Sequence, residues 1–312
     1  MTLIKPNIKI KVIGVGGSGL NALTRMAKCK IEGVELVAIN TDYQDLLKAK
    51  ADVKLRIGCQ TTQGLGAGMN PGIGKQAALE NKKEILDVLK GADMVFITYG
   101  AGGGTGTGAG PIIAQLAKEA GILTLAVVTK PFYFEGKARF RLAEEGIKRL
   151  KEHIDTLIII SNDNLLDSLD SKISFLNAFW FCDDTLRQAV QGISDLILLP
   201  GIINVNFADV KVIMHNAGSA LFGIGRAAGE NRAEKAALAA INSPLLGVSI
   251  KGAKGVLFNI SGDKDMSLSE IDAAARVITK EVNPQAKIIF GAVQDSRIKS
   301  GEIKTTVIAT GF

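Results

Sequence analysis

The first half of the chain alternates short apolar runs with segments of helical pattern. Five runs have the length and β-branched content of buried strands: IKIKVIGV, VELVAIN, MVFIT, ILTLAVVT and TLIIIS. Four of them are followed, directly or after a loop, by apolar residues at helical spacing. This alternation predicts βαβ units and a parallel sheet covered on both faces. Ligands of such sheets bind beyond the carboxyl ends of the strands, where every unusual loop of this chain falls.

A long amphipathic pattern occupies the middle of the chain. Apolar residues keep helical spacing over residues 174–199, and Pro200 and Gly201 then end the predicted helix. A helix from Asp209, followed by further strands and helices, predicts a smaller α+β domain. The expected fold class is therefore α/β, with a second domain of α+β type. Its predicted parts are a Rossmann-like domain over 1–173, a central connecting helix over 174–200 and a C-terminal domain over 201–312.

Composition narrows the class of protein. The chain has 312 residues, 47% of them hydrophobic and 22% charged, and it has no apolar run long enough to cross a membrane or to form a signal peptide. We therefore expect a cytoplasmic protein without direct membrane binding. The net charge of +6 comes from scattered lysines and arginines without a recognition motif, so nucleic-acid binding is not expected. Three dispersed cysteines and two histidines argue against a zinc site.

The segment GAGGGTGTGAG at 100–110 joins the strand MVFIT to a helix whose first turn is expected to contain Pro111. Unpaired N–H groups and the positive end of a helix dipole hold anions at such a place. Glycine lets the backbone approach phosphate oxygens, and Thr105 and Thr107 are expected to add hydroxyl donors. A flexible turn is the alternative, but a turn needs fewer special residues.

A second loop, GVGGSG at 14–19, follows the first strand and fits the pattern GxGxxG. Asp42 lies beyond the next strand, at the distance expected of a ribose-binding acid, so this loop alone would indicate NAD. A third glycine-rich stretch, GLGAGMNPGIGK, occupies 64–75. Three such loops indicate a triphosphate enclosed from several sides. None ends in GK[ST], so backbone amides, helix ends and a cation such as Mg²⁺ would balance the charge.

With these loops, the chain resembles the FtsZ family, the bacterial cell-division GTPases related to tubulin. GGGTGTG at 102–108 is the signature loop of that superfamily. The resemblance covers essentially the whole chain and includes, in order, GVGGSGLNA, INTDYQ, VVTKPFYFEGKAR, SNDNLL, LRQAVQGISDLI, NVNFADV and VIATGF. It implies the tubulin/FtsZ fold, binding and hydrolysis of GTP, head-to-tail self-assembly into filaments, and a place in the division ring at mid-cell. Mg²⁺ would be held mainly by phosphates and water, without protein ligands.

The resemblance also assigns the nucleotide site residue by residue. Glu135 and Arg139 would lie near the ribose and phosphates, while Asn162 and Asp183 would read the guanine edge and Phe179 would stack on its face. Asp183 and Asp184 could instead form a solvated helix face. The other residues expected at the nucleotide are Gly16, Gly17, Ser18, Gly19, Asn21, Asp42, Gly68, Gly103, Gly104, Thr105, Gly106 and Thr129.

The segment NVNFADV at 204–210 contains the candidate catalytic residues. In the family this loop enters the nucleotide site of the next subunit, and its acidic residues polarise the attacking water. Asp209 matches the second acid of the NxDxxD pattern, but Asn206 stands where the first acid is expected. An amide orients water but cannot act as a base, so we expect hydrolysis through Asp209 that is slowed, or a scaffold with little hydrolysis. Asp209 could also be the N-cap of a helix.

Other departures concern kinetics and partners. Asn164 replaces a basic residue common in the family, and Tyr99 and Ala101 alter the approach to the signature loop. Family members normally continue through a linker to a peptide that binds membrane adaptors, whereas this sequence ends at Phe312. Adaptor binding is thus expected of the longer relatives. An NAD-dependent oxidoreductase is a distant alternative, because it leaves the signature loop unexplained and the chain has few histidines.

Overall fold

The computed structural model describes residues 8–29, 31, 33–167, 174–199, 201–244, 246, 249–295 and 297–312. The chain divides into two compact units. The first unit comprises Met1–Val128 and Glu135–Ile154, and the second unit comprises Thr129–Phe134 and Asp155–Phe312.

The first unit has the alternating order that the apolar pattern predicts. Its elements are β1 (Ile10–Val15), α1 (Gly16–Cys29), β2 (Val34–Asn40), α2 (Tyr43–Lys48), β3 (Val53–Arg56), α3 (Cys59–Thr62), α4 (Pro71–Glu80), α5 (Lys82–Leu89), β4 (Met94–Gly100), α6 (Gly104–Glu119), β5 (Leu123–Lys130) and α7 (Lys137–Lys151). The strand order is β3-β2-β1-β4-β5, and β1 pairs in parallel with β2 and β4. Every residue of β1 is buried, as expected of a strand covered on both faces. The carboxyl ends of β1 and β4 are therefore adjacent, and α1 and α6 begin there.

The second unit contains the long helix and a mixed sheet. Its elements are a short 3₁₀ turn (Tyr133–Glu135), β6 (Thr156–Ser161), α8 (Asn162–Asp167), α9 (Phe175–Leu198), α10 (Phe207–Met214), β7 (Gly218–Ala228), α11 (Arg232–Ile241), β8 (Gly255–Gly262), α12 (Leu268–Glu281), β9 (Lys287–Gln294) and β10 (Glu302–Thr310). The strand order is β6-β7-β10-β8-β9. β10 is antiparallel to β7 and β8, whereas β6 and β9 pair in parallel with β7 and β8.

An apolar core joins α11 and α12 to the sheet of the second unit. Alanines on the inner face of α11 pack with the buried side chains of β8 and α12, among them Ala236, Ala240, Phe258, Ile271 and Ile278. Small residues on α11 allow close approach to the strands: a Cβ added at Gly225 of β7 would lie 2.8 Å from Ala239 Cβ. Burial of this face accounts for the position of α11 over β7 and β10.

Three predicted features need correction. The stretch after β2 was expected to be a loop but contains α2, β3 and α3. α6 begins at Gly104, so Pro111 lies inside the helix and not in its first turn. α10 begins at Phe207, so Asp209 is within its first turn and is not its N-cap. In the last two cases the helix begins earlier than its sequence pattern indicates. At α6, the amide of Gly104 donates to Gly68 O of a neighbouring loop, which holds the glycine run at the helix start.

Candidate functional site

Glycine brings α1 close to the sheet at the end of β1. A Cβ added at Gly19 would lie 2.5 Å from Thr98 O, and one at Gly14 would lie 2.6 Å from Gly19 O. Gly16 has φ +70°, which lets the chain pass from the strand into the helix without a connecting loop. Gly14 and Gly19 thus serve packing, while Gly17 and Asn21 are exposed and Ser18 is half-buried. The start of α1 therefore presents backbone and small side chains to solvent.

The start of α6 is a helix N-terminus without a cap of its own. Its N-cap residue, Gly103, makes no side-chain hydrogen bond, and the first turn contains no acidic residue. The first amides of a helix have no carbonyl partner within the helix. The amide of Gly104 donates to Gly68 O at 2.8 Å, which leaves the amides of Thr105 and Gly106 for an anion. Gly68 itself has φ +55°. The hydrogen bond between Gly104 and Gly68 therefore joins the two glycine-rich loops, and the amides of Thr105 and Gly106 are the candidate donors to an anion.

The two helix starts adjoin each other. A Cβ added at Gly16 would lie 3.2 Å from Gly106 N and 3.3 Å from Thr105 Cβ. Because both helices point their N-termini to this place, their dipoles favour the same anion. This juxtaposition makes the first glycine loop and the signature loop parts of one candidate phosphate site.

Many glycines of α6 are needed for packing as well as for ligand approach. A Cβ at Gly104 would lie 2.7 Å from Ala67 O, and a Cβ at Gly108 would overlap Pro71 O and lie 2.6 Å from Lys75 N. The glycine run thus lets α6 lie directly against the start of α4 and the loop before it. This close approach explains why α6 already begins within the run.

The threonines of the signature loop have different roles. The Thr105 hydroxyl lies 2.7 Å from the Thr41 hydroxyl, and both side chains are buried. The Thr107 hydroxyl accepts a hydrogen bond from Gly102 N at 2.8 Å, and Thr107 is completely buried. The side chain of Thr107 therefore holds the loop, and its part as a donor for the anion stays a prediction. The hydroxyl of Thr105 reaches the loop that follows β2.

Asp42 caps α2. Its carboxylate accepts from Asp45 N at 3.0 Å, and its backbone forms an isolated bridge with Leu65. Asp45 Oδ2 would lie 3.5 Å from a Cβ at Gly17, so a second carboxylate adjoins the first glycine loop. Asp42 thus connects α2 to the third glycine-rich stretch, and its contact with a ribose stays a prediction.

Two buried polar side chains at the strand ends were missed by the sequence analysis. Asn40 Nδ2 and Thr98 Oγ1 have no hydrogen-bond partner among the described residues. They end or nearly end β2 and β4, on either side of β1. Polar residues at the carboxyl ends of apolar strands were the signal that could have identified them. Donors left without partners in this place suit phosphate oxygens or bound water.

Glu135 and Arg139 form an ion pair of 2.9 Å across the start of α7. Arg139 Nε is buried and has no partner among the described residues. A Cβ at Gly102 would lie 2.7 Å from Arg139 O, so the start of α7 lies against the signature loop. The predicted pair therefore borders the candidate phosphate site and retains one N–H donor for a ligand oxygen.

The residues expected to read guanine lie in the second unit. Asn162 begins α8 and is 5% exposed, with its Oδ1 atom unpartnered among the described residues. Phe179 packs edge-on against Phe132 at 5.1 Å between ring centroids. Guanine presents N–H donors that match an amide oxygen and a carboxylate. The orphaned acceptor of Asn162 therefore fits the predicted role. Thr129, in the strand before the 3₁₀ turn, is also buried.

The two neighbouring acids of α9 have different surroundings. Asp183 is 8% exposed, whereas Asp184 accepts from Arg187 Nε and Gln188 Nε2, both at 2.6 Å. The alternative of a solvated face is therefore wrong for Asp183. Asp184 is engaged along its own helix, and Asp183 is the acid that suits the recognition role.

The start of α10 carries the two candidate catalytic residues. Asn206 is the exposed N-cap, and its side chain makes no capping hydrogen bond. Asp209 is half-buried in the first turn, where its backbone N–H donates to Asn206 O at 3.0 Å. No hydrogen bond or ion pair engages the Asp209 carboxylate in the part of the chain that the structure describes. The arrangement leaves this carboxylate available to a group outside the subunit.

No group of His, Cys, Asp and Glu that could hold a metal ion is found among the described residues. All three cysteines are free thiols. None of the described helices combines the length and apolar character that a membrane crossing requires.

Comparison with known proteins gives the family. The model of the Tubulin/FtsZ GTPase domain matches residues 9–170, and that of the FtsZ C-terminal domain matches 218–312. A solved structure of FtsZ from M. jannaschii, described as an empty dimer, has a TM-score of 0.93 and 46% identity over 97% of this chain and 88% of that chain. CetZ2 from Haloferax volcanii, solved as a protofilament bound to GTPgS, has a TM-score of 0.81 at 20% identity over 97% and 94% of the two chains and shares the fold.

These matches confirm the family and the fold that the sequence predicts, including the long helix and the α+β part. They exclude the oxidoreductase alternative. The domain boundaries and the individual site residues stay predictions. The chain belongs to the FtsZ family of the tubulin superfamily, and it is a GTP-binding, filament-forming GTPase of the cell-division cytoskeleton.

Proposed function

We propose that this protein polymerises head to tail with GTP and hydrolyses it where one subunit meets the next. A head-to-tail contact does not close on itself and therefore produces an open filament. The observation that carries the proposal is the junction of the start of α1 at Gly16 with the first turn of α6 at Gly106, where α6 has no side-chain cap, because this junction suits the phosphates of a nucleotide. The filament would form the scaffold of the division ring at mid-cell.

We propose the following nucleotide contacts. The amides at the starts of α1 and α6 hold the phosphates, and the Arg139 donor contacts a ribose or phosphate oxygen. Asn162 and Asp183 accept from guanine, and Phe179 stacks on it. Mg²⁺ would be held mainly by phosphate oxygens and water, as this hard cation usually keeps several waters. The full proposed set also includes Gly16, Gly17, Ser18, Gly19, Asn21, Asp42, Gly68, Gly103, Gly104, Thr105, Gly106, Thr129 and Glu135.

Hydrolysis would depend on the start of α10 from a neighbouring subunit. Asp209 would polarise the attacking water, and Asn206 would orient it without supplying a charge. Because one acid is expected to work without the other, turnover would be slow and filaments long-lived. The unengaged carboxylate of Asp209 supports this assignment.

The test is phosphate release from GTP with Mg²⁺ over a range of protein concentrations. Specific activity near zero in dilute protein, rising above a threshold concentration, is the expected result, because the site is complete only between subunits. Specific activity that is the same at all concentrations would contradict an interfacial site. Sedimentation at each concentration shows whether polymer is present.

Two substitutions separate the roles of the catalytic candidates. Asp209→Asn keeps the size of the side chain and should lower turnover per assembled subunit about a hundredfold, within the usual range for loss of a general base. Asn206→Asp should raise turnover, and aspartate is as good an N-cap as asparagine. Asp272→Asn is the control, because Asp272 is an exposed acid of α12 paired with Arg276. This substitution should leave turnover per assembled subunit unchanged. An Asn206→Asp chain with unchanged turnover per assembled subunit would argue against slowed hydrolysis.

A scaffold with little or no hydrolysis is the second candidate, and Asn206 is the residue that favours it. In that case GTP would drive sedimentable assembly, but phosphate release would stay at background even in polymer. Adaptor binding is expected of the family, and a fluorescent fusion of this protein would report its position at mid-cell.

A further inference from the structure

Tyr99 lies buried beneath the start of α6. It is the sixth residue of β4, is completely buried, and is one of the largest such side chains in the described part of the chain. Its ring fills the space where side chains at two glycines of α6 would lie. A Cβ at Gly106 would lie 2.9 Å from Tyr99 Cβ and 3.0 Å from Cδ2, and a Cβ at Gly110 would lie 3.0 Å from Tyr99 Cζ and closer to Cε1.

Gly106 is consequently fixed from two sides. The Tyr99 ring lies on one side of it, and Gly16 lies on another, because a Cβ at Gly16 would be 3.2 Å from Gly106 N. Gly106 N is one of the two amides available for an anion at the start of α6. The position of the ring therefore sets how closely this amide approaches the first glycine loop.

The hydroxyl of Tyr99 does not account for its presence. Tyr99 Oη is buried and has no hydrogen-bond partner among the described residues, and burial raises the pKa of the phenol. An unpartnered buried hydroxyl is generally destabilising. A phenylalanine would fill the same space without that cost, so the contribution of this residue comes from the ring.

We propose that Tyr99 is a positioning residue for GTP binding: its ring, seated against Gly106 and Gly110, holds the first turn of α6 at the distance from Gly16 that lets both helix starts contact the same phosphates. The inference rests on the proposed function, in which the amides of Thr105 and Gly106 hold the phosphates. Tyr99 contacts no reacting atom itself and acts through the backbone of α6.

The test uses matched substitutions on both sides of the contact. Gly110→Ala introduces a methyl group that meets the Tyr99 ring, so the start of α6 must shift. GTP affinity should fall about tenfold or more, as expected when a charge-assisted hydrogen bond is misplaced. Tyr99→Ala removes the ring that holds the first turn of α6, so GTP affinity should again fall about tenfold or more. Tyr99→Phe, the conservative variant that keeps the ring, should bind GTP tightly and unfold at higher denaturant concentration.

Equilibrium titration with a fluorescent GTP analogue is done on full chains at concentrations too dilute for assembly, with urea unfolding of each variant. Phe96→Leu, a buried change on the same strand, is the control for a purely structural effect and should lower stability without weakening GTP binding. If either Gly110→Ala or Tyr99→Ala binds GTP as tightly as the unaltered chain does, the inference is overturned. If Tyr99→Ala does not fold, the comparison of Gly110→Ala with Phe96→Leu decides alone. Failure of the unaltered chain to bind GTP would overturn the proposed function instead.

Discussion

The N-termini of α6 and α12 illustrate two ways of satisfying the first amides of a helix. At α12, the Ser267 hydroxyl accepts from Glu270 N at 3.3 Å and Glu270 Oε2 accepts from Ser267 N at 2.8 Å, which completes a capping box. At α6, the N-cap is Gly103 and no side chain caps the helix. The helix that completes its own hydrogen bonds serves the fold, and the one left open offers its amides to a ligand.

The largest expected effect comes from the packing that keeps α6 in place. Gly108→Ala would raise helix propensity by about 1 kcal/mol in an exposed helix. Here the added methyl overlaps Pro71 O, so we expect the opposite sign, a loss of about 1–3 kcal/mol in the free energy of unfolding and loss of measurable GTP binding. Urea unfolding and GTP titration check this. Glu119→Ala, an exposed change on the same helix, should alter neither, and a stabilised Gly108→Ala chain would contradict the packing role.

The second prediction concerns a substitution that gives α6 a side-chain N-cap, as α12 has. Gly103 has extended backbone, and a Cβ there would lie 3.9 Å from its nearest neighbour, so Gly103→Asp fits as an N-cap. Its carboxylate would accept from the amides of Thr105 or Gly106 and repel phosphate. GTP affinity should fall about 10- to 100-fold while stability rises by about 1 kcal/mol. Gly103→Ala, which adds the methyl but no acceptor, is the control for GTP affinity. Unchanged affinity in Gly103→Asp would show that these amides do not hold the nucleotide.

A smaller effect is expected from removing the cap of α12. Ser267→Ala leaves the amide of Glu270 without its acceptor and should cost about 1 kcal/mol of unfolding free energy. GTP affinity should stay the same, because this cap belongs to the C-terminal part of the fold. Urea unfolding with and without GTP measures both quantities. If Ser267→Ala lost as much GTP affinity as Gly103→Asp, the start of α12 could not be distinguished from that of α6 by its effect on GTP binding.

The smallest effect is the pH dependence of the same cap. Hydrogen bonds from the guanidinium of Arg232, with a smaller contribution from Ser267, hold the pKa of Glu270 down to about 2, from its usual 4.5. Because this pKa is depressed by folding, the contribution of Glu270 is fully present above pH 4.5 and is lost as pH falls toward about 2. Acid should therefore destabilise the unaltered chain more than Glu270→Gln between about pH 5 and pH 3. Parallel slopes for the two chains in urea unfolding would count against this coupling.

The sequence indicated which loops belong to the candidate site, but not the surroundings of individual side chains. The glycine-rich loops after β1 and β4 follow from the residue pattern alone, and the assignment of Asn162 and Asp183 to the guanine edge stays a prediction. Which of Asp183 and Asp184 is buried could not be predicted, since neighbouring positions on a helix face different surroundings only after packing. Asn40 and Thr98 were missed because a polar residue at a strand end reveals nothing of its partners until the neighbouring strands are in place.

The sequence by itself determined the alternation of strands and helices outside the stretch after β2, the family and the glycine-rich character of the loops, because these depend on local periodicity and on residue types at fixed spacing. Only the tertiary structure decided where α6 begins, that Gly104 and Gly108 let it approach α4, that Thr107 supports its own loop, and that the Tyr99 ring adjoins Gly106. The physical reason is that each of these depends on contacts within about 3–4 Å between segments distant in the chain. Such contacts are fixed by packing, and no local pattern contains them.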